Sequence, residues 1–235
     1  MLRLLRWSGS NAKMPTHSIL ILANGTWEHV PRALDCAEKA SMVIATDGAW
    51  AKAATAGIAV DCVVGDLDSL QPSEKTALLA SGIQVQIHPR EKDSTDLELA
   101  VDLALARKPQ KVIVFGAFGG RIDHALANVL MLERVVADGV EVMLIAGCET
   151  SWIVNGLLTL DDVAVGDRIS LLSLATETVV RTEGLRYPLA DESLYRSSAR
   201  GVSNEVVHRP VQIAISSGML LVVHGPAEPP LGANP

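Results

Sequence analysis

The sequence predicts a two-part chain: an α/β segment with a mostly parallel, Rossmann-like sheet, followed by an all-β sandwich. Three observations lead there. From His17 to about Cys148, short apolar runs alternate with amphipathic stretches, the pattern of buried parallel strands covered by helices on both faces. After about Thr150 the helical period disappears, and short β-type runs follow, separated by turn residues. Of the 235 residues, 49% are hydrophobic and 20% charged, which suits a globular chain with a large core. Aromatic residues make up only 3%, so that core is built from Ala, Val, Leu and Ile.

The elements follow in order. Ser18–Ala23 reads as a buried strand and Pro31–Ala40 as a helix, with proline tolerated in its first turn. Ser41–Thr46 is a second strand, and Ala49–Ala56 a helix. Cys62–Val64 is a short strand that runs into Gly65-Asp-Leu-Asp-Ser69. Pro72–Ala80 is helical and Ile83–His88 extended. Thr95-Asp-Leu-Glu98 has the form of a capping box and opens a helix to about Arg107. Lys111–Gly116 is a strand, Ile122–Ala137 a helix and Val140–Ala146 a strand. In the second part, strands are expected at Arg168–Leu174, Glu177–Thr182, Asn204–Val207, Val211–Ser216 and Met219–His224. The expected organisation is a disordered extension over 1–16, an α/β domain over 17–148, a sandwich over 149–225 and a loose proline-rich tail over 226–235. Met14, just before the first strand, stands as an alternative start.

The formal net charge is −7, which disfavours a general nucleic-acid binder, since such a protein needs a basic face. No apolar run reaches the ~18 residues of a membrane span, and no secretory signal is evident. Cys36, Cys62 and Cys148 are odd in number and widely spaced, which points to buried thiols in a reducing cytoplasm.

The acid has an address. Between Asp47 and Asp102 there are ten acidic and four basic residues, so −6 of the net −7 lies there. Glu74, Glu98 and Asp102 suit solvated helix faces. Asp47, Asp66, Asp68 and Asp96 instead fall just after expected strands or at helix starts. In an open parallel sheet those positions gather at the carboxyl edge, where ligands bind. Converging carboxylates repel one another unless a cation is present, and hard oxygen ligands select Mg²⁺ or Mn²⁺ together with substrate phosphates. On an extended backbone, Asp66 and Asp68 point the same way and share one ion. The bland alternative is a polar loop in which Asp68 or Ser69 caps a helix. Asp93-Ser-Thr-Asp96 has the same alternative, because Ser, Thr and Asp are common N-caps.

Phe115-Gly-Ala-Phe-Gly-Gly-Arg-Ile-Asp-His124 says more. A strand ends, Gly116, Gly119 and Gly120 permit close backbone approach, and a helix begins, a geometry that suits phosphate. Arg121 adds a planar donor fork. Asp123 could orient Arg121, ligate the metal or bind a sugar hydroxyl, and His124 and Asn128 share a helix face. The alternative is a glycine turn with a capping Asp and a core His. Asn24-Gly25-Thr26 places a further turn at the same edge. The P-loop, the dinucleotide G-x-G-x-x-G and the nucleophile elbow are all absent.

Taken together and in order, these motifs resemble the thiamin pyrophosphokinase (thiamine diphosphokinase) family. The resemblance rests on Ala45-Thr-Asp47-Gly48, Gly65–Ser69, Asp93–Asp96, and Gly119–His124 with Leu126-Ala-Asn128. It continues in Gly184-Leu-Arg-Tyr-Pro-Leu189 and Gly201-Val-Ser-Asn-Glu205, and covers roughly Ser18 to Val223. It implies a homodimer with active sites between subunits, which moves the diphosphate of ATP to the thiamine hydroxyl and releases AMP. By matching motifs, Asp47, Asp66, Asp68 and Asp96 hold Mg²⁺ and the triphosphate. Asn24, Gly48, Ser69, Thr95, Gly119, Gly120, Arg121, Asp123, His124 and Asn128 line the nucleotide site, and Ser203 and Asn204 contact thiamine. Asp66, Asp68, Asp96 and Arg121 carry the catalysis, with Asp96 or Asp68 accepting the hydroxyl proton. One departure stands out: some members stack a C-terminal tryptophan on thiamine, and Ser216-Ser-Gly-Met-Leu-Leu221 has no aromatic. Tyr187 or a residue of the other subunit is left to fill that role. Two other readings stand beside this one. One is a metal-dependent nucleotide-sugar transferase using D-x-D; the other is a non-catalytic nucleotide or thiamine sensor.

Overall fold

The computed structural model describes residues 17–89, 91 and 93–227. The expectations for 1–16, including Met14 as a start, and for 228–235 lie outside them. The chain divides into two compact units, 17–147 and 148–227 among the described residues.

The first unit runs β1 (Ser18–Leu22), α1 (Val30–Lys39), β2 (Met42–Thr46), α2 (Asp47–Ala56), β3 (Cys62–Gly65), α3 (Pro72–Ala80), β4 (Gln84–Ile87), α4 (Asp96–Ala106), β5 (Lys111–Phe115), α5 (Ile122–Met131), α6 (Glu133–Ala137) and β6 (Glu141–Ala146). Its strands order as β6-β5-β1-β2-β3-β4, and every pairing is parallel. Both faces are covered, so the central strands are apolar throughout. Ile19, Leu20, Ile21 and Leu22 of β1 are all fully buried, and each such side chain contributes roughly 1.5–3 kcal/mol. The order reverses between β1 and β5: the chain steps outward through β2, β3 and β4 on one side and β6 on the other. Ligands of open parallel sheets bind at such a switch point, beyond the carboxyl ends of the strands.

The helix expected over 122–137 is two helices. Leu132 is fully buried, and short-range bonds from its N–H to Val129 O (3.2 Å) and from Val135 N–H to Leu132 O (3.1 Å) tighten the turn there. Helix α2 begins earlier than its apolar pattern suggests, so Asp47 and Gly48 form its first turn.

The second unit is antiparallel. β7 (Glu149–Val154), β8 (Leu157–Leu160), β9 (Arg168–Ser173), β10 (Glu177–Glu183), β11 (Glu192–Tyr195), β12 (Asn204–Glu205), β13 (Val211–Ser217) and β14 (Leu220–Gly225) form two layers. One orders as β12-β9-β14-β7 and the other as β11-β10-β13-β8. Asn155-Gly156 and Gly218 are the corners where consecutive strands change layer. Burial alternates along β10 and β13, the mark of strands with one face on a core. Strands β7, β8 and β11 have no counterpart among the expected strands. Among the described residues no helix is long and apolar enough to cross a membrane.

Asp167 locks the last strand in place. Its Oδ2 accepts from Ala164 N–H (2.8 Å) and lies 2.7 Å from His224 Nε2, while Oδ1 accepts from Ala227 N–H at 3.2 Å. Burial pushes its carboxyl up, but the Ala164 amide, the His224 ring and the Ala227 amide together hold it below the ordinary value. A depressed carboxyl stabilises the fold above its unfolded value of about 3.9, and the contribution is lost as pH falls through the lower folded value. Asp167→Asn should therefore cost about 1–3 kcal/mol at pH 7. In urea unfolding the gap to wild type should close in the acid range below the usual carboxylate value. A gap that persists undiminished there would contradict this account.

Candidate active site

The carboxyl edge of the parallel sheet collects the sequence-predicted residues, and it is built largely from backbone. Asp47, Asp66 and Asp68 converge there, each offering an oxygen within 4.8 Å of the others. Asp47 is 1% exposed. Its Oδ1 accepts from Gly48 N–H at 2.6 Å, and its buried Oδ2 has no hydrogen-bond partner. Burial, then the charge of Asp96, push its carboxyl above the ordinary value. The Gly48 amide opposes that shift, Asp66 adds to it, and the Leu67 amide opposes it. A buried carboxylate with an orphan oxygen and anionic neighbours is costly alone and suited to a cation. Gly65, the last residue of β3, makes room for it: a Cβ there would lie 2.8 Å from Asp47 Cγ.

The D-x-D segment is not extended. Leu67 is 2% exposed and sits in the left-handed region, φ 63°, while Asp68 N–H donates to Asp66 Oδ1 at 2.9 Å. The carboxylates converge through a turn pinned by a buried Leu, not through strand alternation. The helix-cap alternative for Asp68 or Ser69 also fails. Helix α3 starts at Pro72 with Gln71 as N-cap, whose N–H donates to Glu74 at 2.8 Å. Ser69 lies exposed in the loop between.

Thr95 caps α4, its hydroxyl accepting from Glu98 N–H at 3.2 Å. This seats Asp96 in the first turn, where its charge reaches Asp47.

The loops after β1 and β5 are laced together. Gly25 N–H donates to Gly116 O (2.9 Å), and Thr26 N–H donates to Phe118 O (2.7 Å). Any Cβ on Gly119 would overlap Thr26, and one on Gly48 would overlap the Asn24 amide. Asn24 is thus packed over the first turn of α2, next to Asp47. The Trp27 indole meets the edge of Phe115 at 5.3 Å beneath these loops. Lys52, counted in the sequence only as one of four bases, donates to Asn24 O (2.9 Å) and Gly25 O (2.8 Å). Its signal, a lysine within reach of the loop from the second turn of α2, depends on knowing that α2 starts at Asp47.

Arg121 and Asp123 stand exposed at the start of α5 as a two-pronged ion pair, with Arg121 Nε donating to Asp123 Oδ1 at 3.0 Å. The hydrogen bond from Arg121, with lesser help from the His124 amide, holds the Asp123 carboxyl down at about 2. Of the three roles left open for Asp123, this geometry provides the orienting one. His124 is exposed, which removes the core-histidine alternative. Asn128 Nδ2 donates to Ala117 O at 2.7 Å and so ties α5 to the glycine loop. Gly120, with φ 81°, is exposed beside Arg121.

In the second unit, Ser203 is exposed in a left-handed turn, φ 58°, its N–H donating to Ser170 Oγ at 3.0 Å. Asn204 is buried, and its amide is spent on backbone: Oδ1 accepts from Tyr187 N–H (3.1 Å) and Glu205 N–H (2.9 Å), and Nδ2 donates to Tyr187 O (2.8 Å). Tyr187, clamped on both sides of its backbone, is 66% exposed.

Two family models match this chain in turn. The thiamin pyrophosphokinase catalytic domain matches residues 34–144, and the thiamin pyrophosphokinase vitamin B1 binding domain matches 158–220. A thiamine pyrophosphokinase of Bacillus subtilis is 26% identical over 208 residues, 88% of this chain and 97% of that protein. A thiamin pyrophosphokinase of Caenorhabditis elegans is 26% identical over 225 residues, 88% of each chain. The crystal structure of the Bacillus subtilis protein superposes with a TM-score of 0.79 at 25% identity, covering 89% of this chain and 99% of the other. That of yeast thiamin pyrophosphokinase shares the fold, with a TM-score of 0.76 at 14% identity over 96% and 92%. With both domain models matched in order and whole-length relatives alongside, the chain belongs to the thiamin pyrophosphokinase family.

Proposed function

We infer that this chain transfers the diphosphate of ATP to the hydroxyl of thiamine, giving thiamine diphosphate and AMP. The observation that carries the site assignment is the buried orphan oxygen of Asp47 in a three-carboxylate cluster at the sheet's switch point. Both matched domains and the similar proteins bear the thiamin pyrophosphokinase name, so neither the nucleotide-sugar transferase nor the sensor reading is favoured.

The reaction forms a bond from the thiamine oxygen to the β-phosphorus and breaks the bond from that phosphorus to the α-phosphate oxygen. Negative charge grows on the phosphate oxygens. Arg121, its guanidinium plane held by Asp123, is set to stabilise it, and the positive end of the α5 dipole adds to the same field. Asp47, Asp66 and Asp68 fit Mg²⁺ by charge, donor type and convergence, and Asp96 adds its charge beside Asp47. The bound ion would neutralise the polyphosphate and polarise its oxygens. Asp96 or Asp68 takes the hydroxyl proton; an aspartate is a weak base near neutral pH, so that transfer comes late. Thr95, by capping α4, and Asn24, Gly48, Gly119 and Asn128, by fixing the loops, act through position.

Incubation with ATP, Mg²⁺ and thiamine should yield AMP and thiamine diphosphate in equal amounts. Asp66→Asn, Asp68→Asn and Asp96→Asn should each lower kcat by about 100-fold or more with folding intact. Near-normal turnover in two of the three would end the metal-cluster assignment.

Thiamine carries a cationic ring, and aromatic faces attract such cations. Tyr187, rigidly presented beside Ser203, is our candidate for the stacking partner; Ser203 supplies a hydroxyl, and Asn204 serves by holding Tyr187. Tyr187→Ala should raise the KM for thiamine roughly tenfold and leave that for ATP alone, with Tyr187→Phe near normal. An unchanged thiamine KM in the Ala variant would remove Tyr187 from this role.

The same reading includes a homodimer with its active site at the subunit interface, in the cytoplasm. An exposed apolar row on α5 supports the pairing: Ile122, Leu126 and Leu130 are 77%, 60% and 52% exposed at four-residue spacing. The row starts beside Arg121 and Asp123. Cys36 and Cys62 are buried thiols, in accord with a reducing compartment, whereas Cys148 is exposed and departs from the expected burial. In sedimentation the wild type should run at twice the chain mass and Leu126→Glu as a folded monomer. A monomeric wild type, or a variant that still pairs, would refute this interface.

A further inference from the structure

Lys52 lies in the second turn of α2, in the helix that Asp47 opens. Helical side chains lean back toward the N-terminus, and Lys52 reaches that way to the loop after β1. Its Nζ donates to Asn24 O at 2.9 Å and Gly25 O at 2.8 Å. Among the described residues its hydrogen bonds go to these two neutral carbonyls. Burial lowers its pKa. An ammonium has three donors, so one remains after the two carbonyls are served. A half-buried cation with neutral partners is favoured by an anion nearby.

The pinned loop matters beyond itself. Asn24 overlies Gly48, next to the acidic cluster, and Gly25 and Thr26 are bonded to the glycine loop that leads to Arg121. Lys52 therefore sits where the cation-binding and phosphate-binding parts of the edge meet.

We propose that Lys52 is a nucleotide-positioning residue: it fixes the Asn24–Gly25 loop so that the acidic cluster and the glycine loop keep one spacing, and its charge favours the polyphosphate spanning them. This rests on the strand edge being the ATP site. Arginine can reach the same two carbonyls and keep the charge; methionine keeps the stem and loses both.

The test uses the full chain as wild type, Lys52→Met and Lys52→Arg. ATP and thiamine are varied separately, and binding of ATP with Mg²⁺ is titrated calorimetrically in the absence of thiamine. Lys52→Met should raise the KM for ATP about tenfold and leave that for thiamine within about twofold, and Lys52→Arg should recover most of the loss. Binding of ATP with Mg²⁺ should weaken in parallel. An unchanged ATP KM in Lys52→Met, or equal rises in both KM values that Lys52→Arg does not rescue, overturns the proposal. If wild type binds ATP and Lys52→Met binds it equally, Lys52 alone is refuted. If wild type binds no ATP, the edge is not the nucleotide site, and the proposal falls with it.

Discussion

A carboxylate with almost no exposure and one oxygen without a partner is the constraint around which the first unit is organised. Burying Asp47 costs free energy, and Asp96 and Asp66 increase that cost. The surroundings are arranged to tolerate it. Gly65 removes a side chain from its path, and the amides of Gly48 and Leu67 face it. The buried Leu67 holds the turn that brings Asp66 and Asp68 alongside. Sites that store such cost usually use it, and a divalent cation turns mutual repulsion into shared attraction.

The parallel sheet is what makes the concentration possible. Loops from five strands end at one edge, and the reversal between β1 and β5 leaves room there for a ligand. Because β1 and β5 are neighbours, their loops can be laced by backbone bonds, leaving side chains such as Arg121 and His124 exposed on α5. Rigidity comes from main chain and chemistry from side chains.

The sequence made the first unit legible because buried parallel strands write continuous apolar runs, and their ends mark the edge. Asp47, Asp66, Asp68 and Asp96 were found by position at those ends. The path of the backbone between them was not. Nothing in Gly65-Asp-Leu-Asp-Ser69 announces that Leu67 turns left-handed, since a leucine pays for that conformation only when burial rewards it. Lys52 was hidden for a related reason: its partners are carbonyls distant in sequence, which carry no residue signature. In the second unit Asn204 was identified as a ligand contact by motif, whereas its amide closes on the Tyr187 backbone. β8 and β11 have only four residues each, and the buried run of β7 includes Thr150 and Ser151, so none of the three writes an apolar period of two.

The close approaches at Gly25, Gly48, Gly65 and Gly119 have a wider consequence. At each, a single methyl group would strike main chain or a neighbouring site residue, so the floor of the edge is sterically saturated. Natural variation can scarcely enter there. Substitution is therefore tolerated first at exposed positions outside that floor, such as Ser69 after the D-x-D turn and His124 on α5. The geometry of the edge is thus fixed by volume, before any side-chain chemistry is chosen.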